Sequence, residues 1–481
     1  MEVSGARVFR AVKSTRTQVV RPFAGALVLA AISNVLAFSD ADAAVSIYGR
    51  ALSDEPVEYL QDEETLAPQA APLVLFGDPF LEPGNLDAGF EIPTGAVWQP
   101  SLWVFGQGRT ALQTQDTGDP DRVSEWANTL DIFANLQLTG TERLLVGINP
   151  LRRGTRFTGY RFEPDDDRGG FSRFGANLTT LFFEGDFGEL FPALDETDAL
   201  ALDYGFSVGR QPLSFQQDIL INDTVDGVGI VRNSLIVPGG SNGRITGFYG
   251  WNEISRADSE NDQNAQMFGL FTQADFYNST VAFDAIYVDS DNTGADGLYL
   301  GASTVQRFGL WTSSLRLLVS QAINSGGTAE VDDGVLLYAD VSTTPIGTDD
   351  ILYLTAFVAG GEFTQAARDP NVGGPLTRAG IIFASPQLGS FSGPLSARAN
   401  DVIGFAGGRQ WFLTANNRQQ FVLEVGGRKD IGGLDTDAMA VAGRYQIQIH
   451  NQAFWQFDLY GSYKETQGAG YGARSEILVR F

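Results

Sequence analysis

The chain has 481 residues, with 32 Lys and Arg against 58 Asp and Glu, a net charge of −26, and no cysteine. That acidity excludes binding of nucleic acid or another polyanion over the whole surface, because phosphate contacts need clustered Lys and Arg. The missing thiols exclude disulfides, thiolate metal sites and cysteine nucleophiles.

At the start, Arg7, Arg10, Lys13, Arg16 and Arg21 precede an uncharged apolar stretch from Pro22 to Phe38, and Ala41-Asp42-Ala43 offers a small-x-small cleavage pattern. This predicts a secretory signal peptide over residues 1–43 and a mature start at Ala44. An apolar run of about 17 residues, interrupted by Ser33 and Asn34, sits at the lower limit for a spanning helix. Cleavage removes five basic and three acidic residues, so the mature chain carries 27 basic against 55 acidic residues, a net charge of −28.

Residues 44–100 contain seven prolines and a carboxylate cluster from Asp54 to Glu64. They read as an irregular periplasmic extension, a partial lumen plug, or both, within which Leu73-Val74-Leu75-Phe76 is a strand candidate. The segment is too short for the folded plug of an energised transporter.

From residue 101 onward the signal is period two. No stretch beyond Phe38 approaches the ~20 consecutive apolar residues of a membrane helix, and 56 Gly with 34 Phe favour strands and turns. Leu130, Ile132, Ala134, Leu136 and Leu138 alternate with Thr129, Asp131, Phe133, Asn135 and Gln137, over the length a tilted strand needs to cross a bilayer. Near the end, Trp455, Phe457, Leu459, Gly461 and Tyr463 oppose Gln456, Asp458, Tyr460, Ser462 and Lys464, with aromatics at both rims of the apolar face. Short turns are expected at Thr139–Glu142, Pro238–Gly243, Tyr277–Ser279, Gln306–Gly309, Pro345–Asp350, Ala415–Arg418 and His450–Ala453. Longer loops are expected at Gly154–Gly175, Gln211–Thr224, Glu253–Asn264, Ser290–Asp296, Ile323–Asp333, Gly361–Thr377, Asp430–Asp437 and Glu465–Gly470. Ile381–Gly404 is ambiguous. The chain is thus expected to be all-β, with residues 101–481 forming a transmembrane antiparallel up-and-down barrel of about 18 strands, within 16–20.

The last strand sets Tyr471, Ala473, Ser475, Ile477, Val479 and Phe481 on one face. This ending resembles the C-terminal assembly signal of bacterial outer-membrane proteins, which implies an outer-membrane location, recognition of Phe481, Val479 and Ile477 by the assembly machinery, and lipid as a partner. Gly209-Arg210-Gln211-Pro212-Leu213-Ser214-Phe215, then Asp218, Asn222-Asp223 and Asp226-Gly227-Val228, resembles the alginate-export-type porin family over about 20 residues. That resemblance implies a loop folded toward the lumen and an anionic or carbohydrate solute.

Bottom-up, Arg210 against Asp218, Asp223 and Asp226 would set opposite charges across a constriction, either selecting solutes or merely latching the loop. Strand parity puts Arg109, Arg316, Arg444 and Arg474 on the inward face, together with Arg210, where each either makes the bore basic or pairs with an inward Asp131, Asp458 or Glu476. The loop Asp289–Asp296 resembles the start of a calcium loop, but Leu300 stands where a bidentate Glu is required, so it and Asp165-Asp166-Asp167 read as solvated loops. A single histidine, His450, placed at a turn, gives no catalytic constellation. No enzyme, cofactor, metal or nucleic-acid partner is expected. Two readings stay open: a porin for passive diffusion of small hydrophilic solutes, monomeric or homotrimeric, and a non-conducting surface barrel with an adhesive or structural role.

Overall fold

The computed structural model describes residues 71–77, 88–118, 122–153, 156–194, 202–291, 295–323, 330–414, 416–433 and 436–481; the expected signal peptide lies outside them. Eighteen antiparallel strands close into one barrel. In chain order they are β1 (Ser101–Asp116), β2 (Val123–Gln137), β3 (Arg143–Asn149), β4 (Asn177–Asp186), β5 (Tyr204–Phe215), β6 (Ile221–Leu235), β7 (Asn242–Asn252), β8 (Gln266–Asp275), β9 (Ser279–Asp289), β10 (Gly297–Phe308), β11 (Trp311–Ala322), β12 (Gly334–Thr343), β13 (Ile351–Phe363), β14 (Ala399–Phe412), β15 (Gln419–Asp430), β16 (Ala438–His450), β17 (Ala453–Lys464) and β18 (Gly468–Arg480). Each wall strand pairs with its neighbours in sequence, and β18 closes the ring on β1, from Tyr471↔Asp116 to Arg480↔Gln107. β3 is short, and its line is continued by Arg156–Glu163, which pairs with the far half of β2.

Alternation decides which residues meet lipid. On β1, Ala111, Gln113 and Gln115 are buried while Leu112 between them is exposed. Leu270, Leu354, Leu423, Val441 and Leu459 repeat that outward exposure around the ring. At the rims, Trp411 stacks on Phe421 with centroids 5.6 Å apart, and Tyr445 meets Trp455 edge-on at 6.1 Å. A belt of apolar side chains edged by aromatics suits a bilayer, and a closed sheet leaves no unpaired main chain in it. Among the described residues no helix is long and apolar enough to cross a membrane; the strands cross instead.

Short connections stand at one end, including 236–241, 276–278, 309–310, 344–350 and 451–452, at the places where turns were expected. One connection at that end escaped the sequence reading: 187–203, opened by the short helix α1 (Phe187–Leu190) whose N-terminus is capped by the Asp186 carboxylate. Two expected loops are corrected. Gln211–Thr224 is mostly strand, because β5 runs to Phe215 and β6 begins at Ile221, leaving only 216–220 as a tip. Gly361–Thr377 is the beginning of a longer connection, 364–398, which absorbs much of the ambiguous region before β14.

Eighteen strands enclose a wide bore. Here that bore is partly filled: Ile219 and Leu220 from the tip, Ile221 at the start of β6, and Leu376, Ile382 and Phe383 from the 364–398 connection, are buried with Leu318, Leu336 and Phe357 of the wall in one apolar cluster.

Leu423 lies mid-strand on the outward face of β15 and is 45% exposed. Leu423→Arg is expected to lower the free energy of unfolding by about 2–4 kcal/mol, read by urea titration in lipid vesicles. An unchanged midpoint would put Leu423 off the lipid face.

Candidate pore constriction

The β5–β6 hairpin bends inward because its support ends. β4 pairs with β5 only as far as Leu181↔Arg210, and beyond that point Gln211–Phe215 pair with β6 alone. Gly209, at φ +122°, lies at the bend, and a Cβ there would sit 2.2 Å from the Leu181 carbonyl oxygen, so only glycine fits. The tip itself holds three consecutive non-glycine residues in the left-handed region: Gln216 (φ 54°), Gln217 (φ 56°) and Asp218 (φ 65°). Each such residue costs roughly 1–2 kcal/mol, which the contacts of the tip must offset. Phe215 stacks on Phe271 of β8, and the Gln216 side-chain amide donates to Asp284 of β9 at 2.7 Å.

The 364–398 connection holds the tip from the other side. Ala366 N donates to Leu220 O at 3.0 Å, Asn222 N to Ala367 O at 3.0 Å, and Asp369 N to Asn222 O at 2.9 Å, a short parallel pairing inside the barrel. Gln365 donates to the Asp218 carbonyl at 2.6 Å, while the Asp218 carboxylate pairs with Arg378 and accepts from the Ser214 hydroxyl. The connection then crosses the bore. Ile382 N donates to Glu424 of β15 at 2.9 Å. On β1, Arg109 donates to the Pro386 carbonyl at 2.8 Å, Gln113 to Leu388 at 2.9 Å and Gln115 to Ser390 at 2.7 Å. On the short-turn side of the tip a cavity of about 540 Å³, lined in part by Gln211, Leu213, Phe215, Phe248 and Phe271, remains open.

The wall facing this crossing is a row of cross-strand ion pairs. Arg444 (β16) and Arg474 (β18) flank Asp458 (β17) at 2.6 and 3.0 Å. Arg474 also touches Glu476, which pairs with Arg109 at 2.7 Å. Asp131 accepts from Gln107 and Asn149. Across the ring, Arg316 pairs with Asp340 at 3.0 Å. Arg109, Arg316, Arg444 and Arg474 each meet a carboxylate, with Asp458 and Glu476 among the partners.

The four-residue constriction expected from sequence is divided by the structure. Asp218 and Asp223 face the lumen. Asp223 is buried and caps main chain, accepting from Thr224 N and Ser255 N at 2.8 Å each. Arg210 and Asp226 are register partners at the bend. Arg210 binds Asp226 through Nε and one terminal nitrogen at 2.8 and 3.0 Å and reaches Glu253 at 2.9 Å.

The sequence reading missed the arginines of 364–398. Arg368, Asp369, Arg378 and Arg398 are the only charged residues in that segment, which makes it a basic island in an acidic chain, and this was the signal to find. Asp369 pairs with Arg152 at 3.3 Å, and Arg378 with Asp218. Arg368 donates to the Ser259 hydroxyl at 3.3 Å, and it has no ion pair among the described residues. Burial first, then the like charge of Arg398, push the Arg368 guanidinium below its usual range, against the pull of Asp223 and Asp369. Arg398 is exposed and also without an ion pair among the described residues. Among the described residues no group of three or more His, Cys, Asp or Glu could hold a metal ion; part of the expected calcium-like loop, 292–294, lies outside them. His450 is exposed at the end of β16.

No protein-family model matches the chain, and no curated protein is significantly similar to it. Solved structures are. A BenF-like porin from Pseudomonas fluorescens Pf-5 is 10% identical with a TM-score of 0.54, over 79% of this chain and 98% of that one. OccK9 (OpdG) of Pseudomonas aeruginosa is 13% identical with a TM-score of 0.52, over 79% and 98%. The structure of Pseudomonas aeruginosa OpdK with vanillate is 12% identical with a TM-score of 0.51, again over 79% and 98%. At these identities the likeness is one of fold: this chain is built as those outer-membrane barrels are.

Arg210→Ala is expected to leave the reversal potential in a salt gradient unchanged, since Asp226 and Glu253 already hold its guanidinium; a clear shift would make Arg210 a selecting charge in the bore. Asp218→Asn and Arg378→Ala should each increase open-channel current noise, and the double variant should be no noisier than either. Additive effects would separate the two residues.

Proposed function

We propose that the protein is an outer-membrane diffusion channel for small hydrophilic solutes, organic anions above all, and that it performs no chemistry on them. The observation that carries this reading is the pair Arg368 and Arg398, two like charges within electrostatic reach of one another on a segment crossing the bore. The neighbouring acids are engaged elsewhere, Asp369 with Arg152 and Asp223 with main-chain N–H groups. A guanidinium with spare donors at a narrow, partly dehydrated passage favours a carboxylate.

The wall arginines do not compete for that role. Arg109, Arg444 and Arg474 are paired with Asp458 and Glu476, and Asp131 lies within electrostatic reach of Arg109, so three positive charges face three negative ones and the row offers a passing solute hydrogen bonds rather than net charge. The acidic loops would repel anions at low salt. At about 0.1 M salt the Debye length is about 10 Å, so those charges are screened while a contact inside the bore is not.

OpdK was crystallised with vanillate, an aromatic carboxylate; the arginine pair supports the same chemical class here. Alginate, whose sugars each carry a carboxylate, is the carbohydrate to try beside it. A second reading, a barrel that does not conduct, is favoured by one feature: the apolar packing of the tip against the wall.

Single-channel recording of the full mature protein in planar bilayers separates them. Conductance with an anion-favouring reversal potential is expected, and each of Arg368→Ala and Arg398→Ala should lower anion preference about fivefold, taking about 1 kcal/mol per lost contact in water-like surroundings. Anion preference unchanged in both variants would remove these arginines from selection. Silence from a correctly folded barrel would favour the closed reading.

A further inference from the structure

The ring closes unevenly. β18 pairs with β1 from Asp116 down to Gln107, and Phe481 and Gly106 exchange main-chain bonds at 2.8 and 3.1 Å. β1, however, runs on to Ser101, and on its other edge β2 accompanies it all the way, to Ser101↔Gln137. The last turn-side residues of β1 would therefore have one bare edge. They do not, because a segment from before the barrel fills it: Val74↔Val104, Leu75↔Trp103 and Phe76↔Leu102, with Leu73 N donating to Val104 O at 2.8 Å. This segment runs antiparallel to β1, in the direction of β18, and takes up the line of β18 where that strand stops.

That edge lies at lipid depth. The outward row through Leu102 continues as Leu136, Leu144 and Phe183, and the row through Val104 as Ala134, Val146 and Leu181. All are apolar, as a lipid-facing belt requires. Main chain left bare at such a depth has no water to bond to. Val74 and Phe76 pair with the outward Val104 and Leu102, and both are exposed, Phe76 at 73%; large apolar side chains in that position suit lipid and not the aqueous bore. The turn between β16 and β17 approaches from the other side, where Gln452 donates to the Ala71 carbonyl at 3.4 Å.

We infer that Leu73–Phe76 is a wall strand placed ahead of the barrel sequence, which seals the closing seam between β18 and β1 and does not obstruct the bore. It works by strand addition to the free edge of β1.

The chain contains no cysteine, so Val74→Cys with Val104→Cys introduces the only two thiols. Register partners in an antiparallel pair have the Cα separation a disulfide needs. After mild oxidation of the folded full-length protein, denaturation and maleimide-polyethylene glycol labelling, no added mass is expected until reductant is supplied, and two additions thereafter. Two additions without reductant would overturn the pairing. Deleting 73–76 is expected to leave single-channel conductance unchanged and to lower the temperature at which the folded band converts to the unfolded one in dodecyl sulfate gels. A rise in conductance would mark the segment as a lumen obstruction, and an unchanged conversion temperature would show the seam sealed without it; either result overturns the inference. Should the deletion fail to fold, the cysteine pair decides.

Discussion

Everything here follows from one constraint: inside a bilayer no water satisfies the peptide N–H and C=O, so each must be paired within the protein. A sheet meets that demand only by closing on itself. Closure of eighteen strands then dictates the rest. Side chains must alternate between lipid and bore, the last strand must find the first, and the bore becomes wide enough that something else has to narrow it.

The bore tolerates charge because its charges are arranged in strand register. Arg444, Asp458 and Arg474 occupy directly opposed positions on β16, β17 and β18, so the geometry that pairs the backbones also pairs the side chains. Such partly buried pairs roughly balance desolvation against attraction, and their use here is positional. Arg109 and its neighbours Gln113 and Gln115 hold the carbonyls of Pro386, Leu388 and Ser390, fixing the crossing segment against the wall.

What was legible in the sequence was local. Period-two alternation gave the strands and the tight turns, because each depends on near neighbours in sequence. Where a bulge or a bend intervenes the rule fails. Past Gly209 the hairpin leaves the ring, and Pro212 and Ser214, polar or turn-forming by type, make strand look like loop. Segment 364–398 was opaque for a different reason. Its apolar run Ile381-Ile382-Phe383 reads as a strand, yet it is buried in the lumen by contacts with β15 and with a hairpin more than a hundred residues earlier. The seam strand was a candidate by composition, but its partner could not be read.

The two inward segments also explain one another. A hairpin tip with three successive left-handed residues, at roughly 1–2 kcal/mol each, is not a conformation the chain adopts unaided. It persists because Gln365, Ala366, Ala367 and Arg378 occupy its main-chain and carboxylate groups, and because its apolar residues replace the water an open bore would hold. Equally, 364–398 has only one short helical turn of its own, Pro375–Arg378, and takes its path from the tip and the β1 wall. The constriction is therefore one cooperative unit assembled from distant parts of the chain. Its width and its charge are set together, since the segment that completes the packing is the same one that carries Arg368 and Arg398.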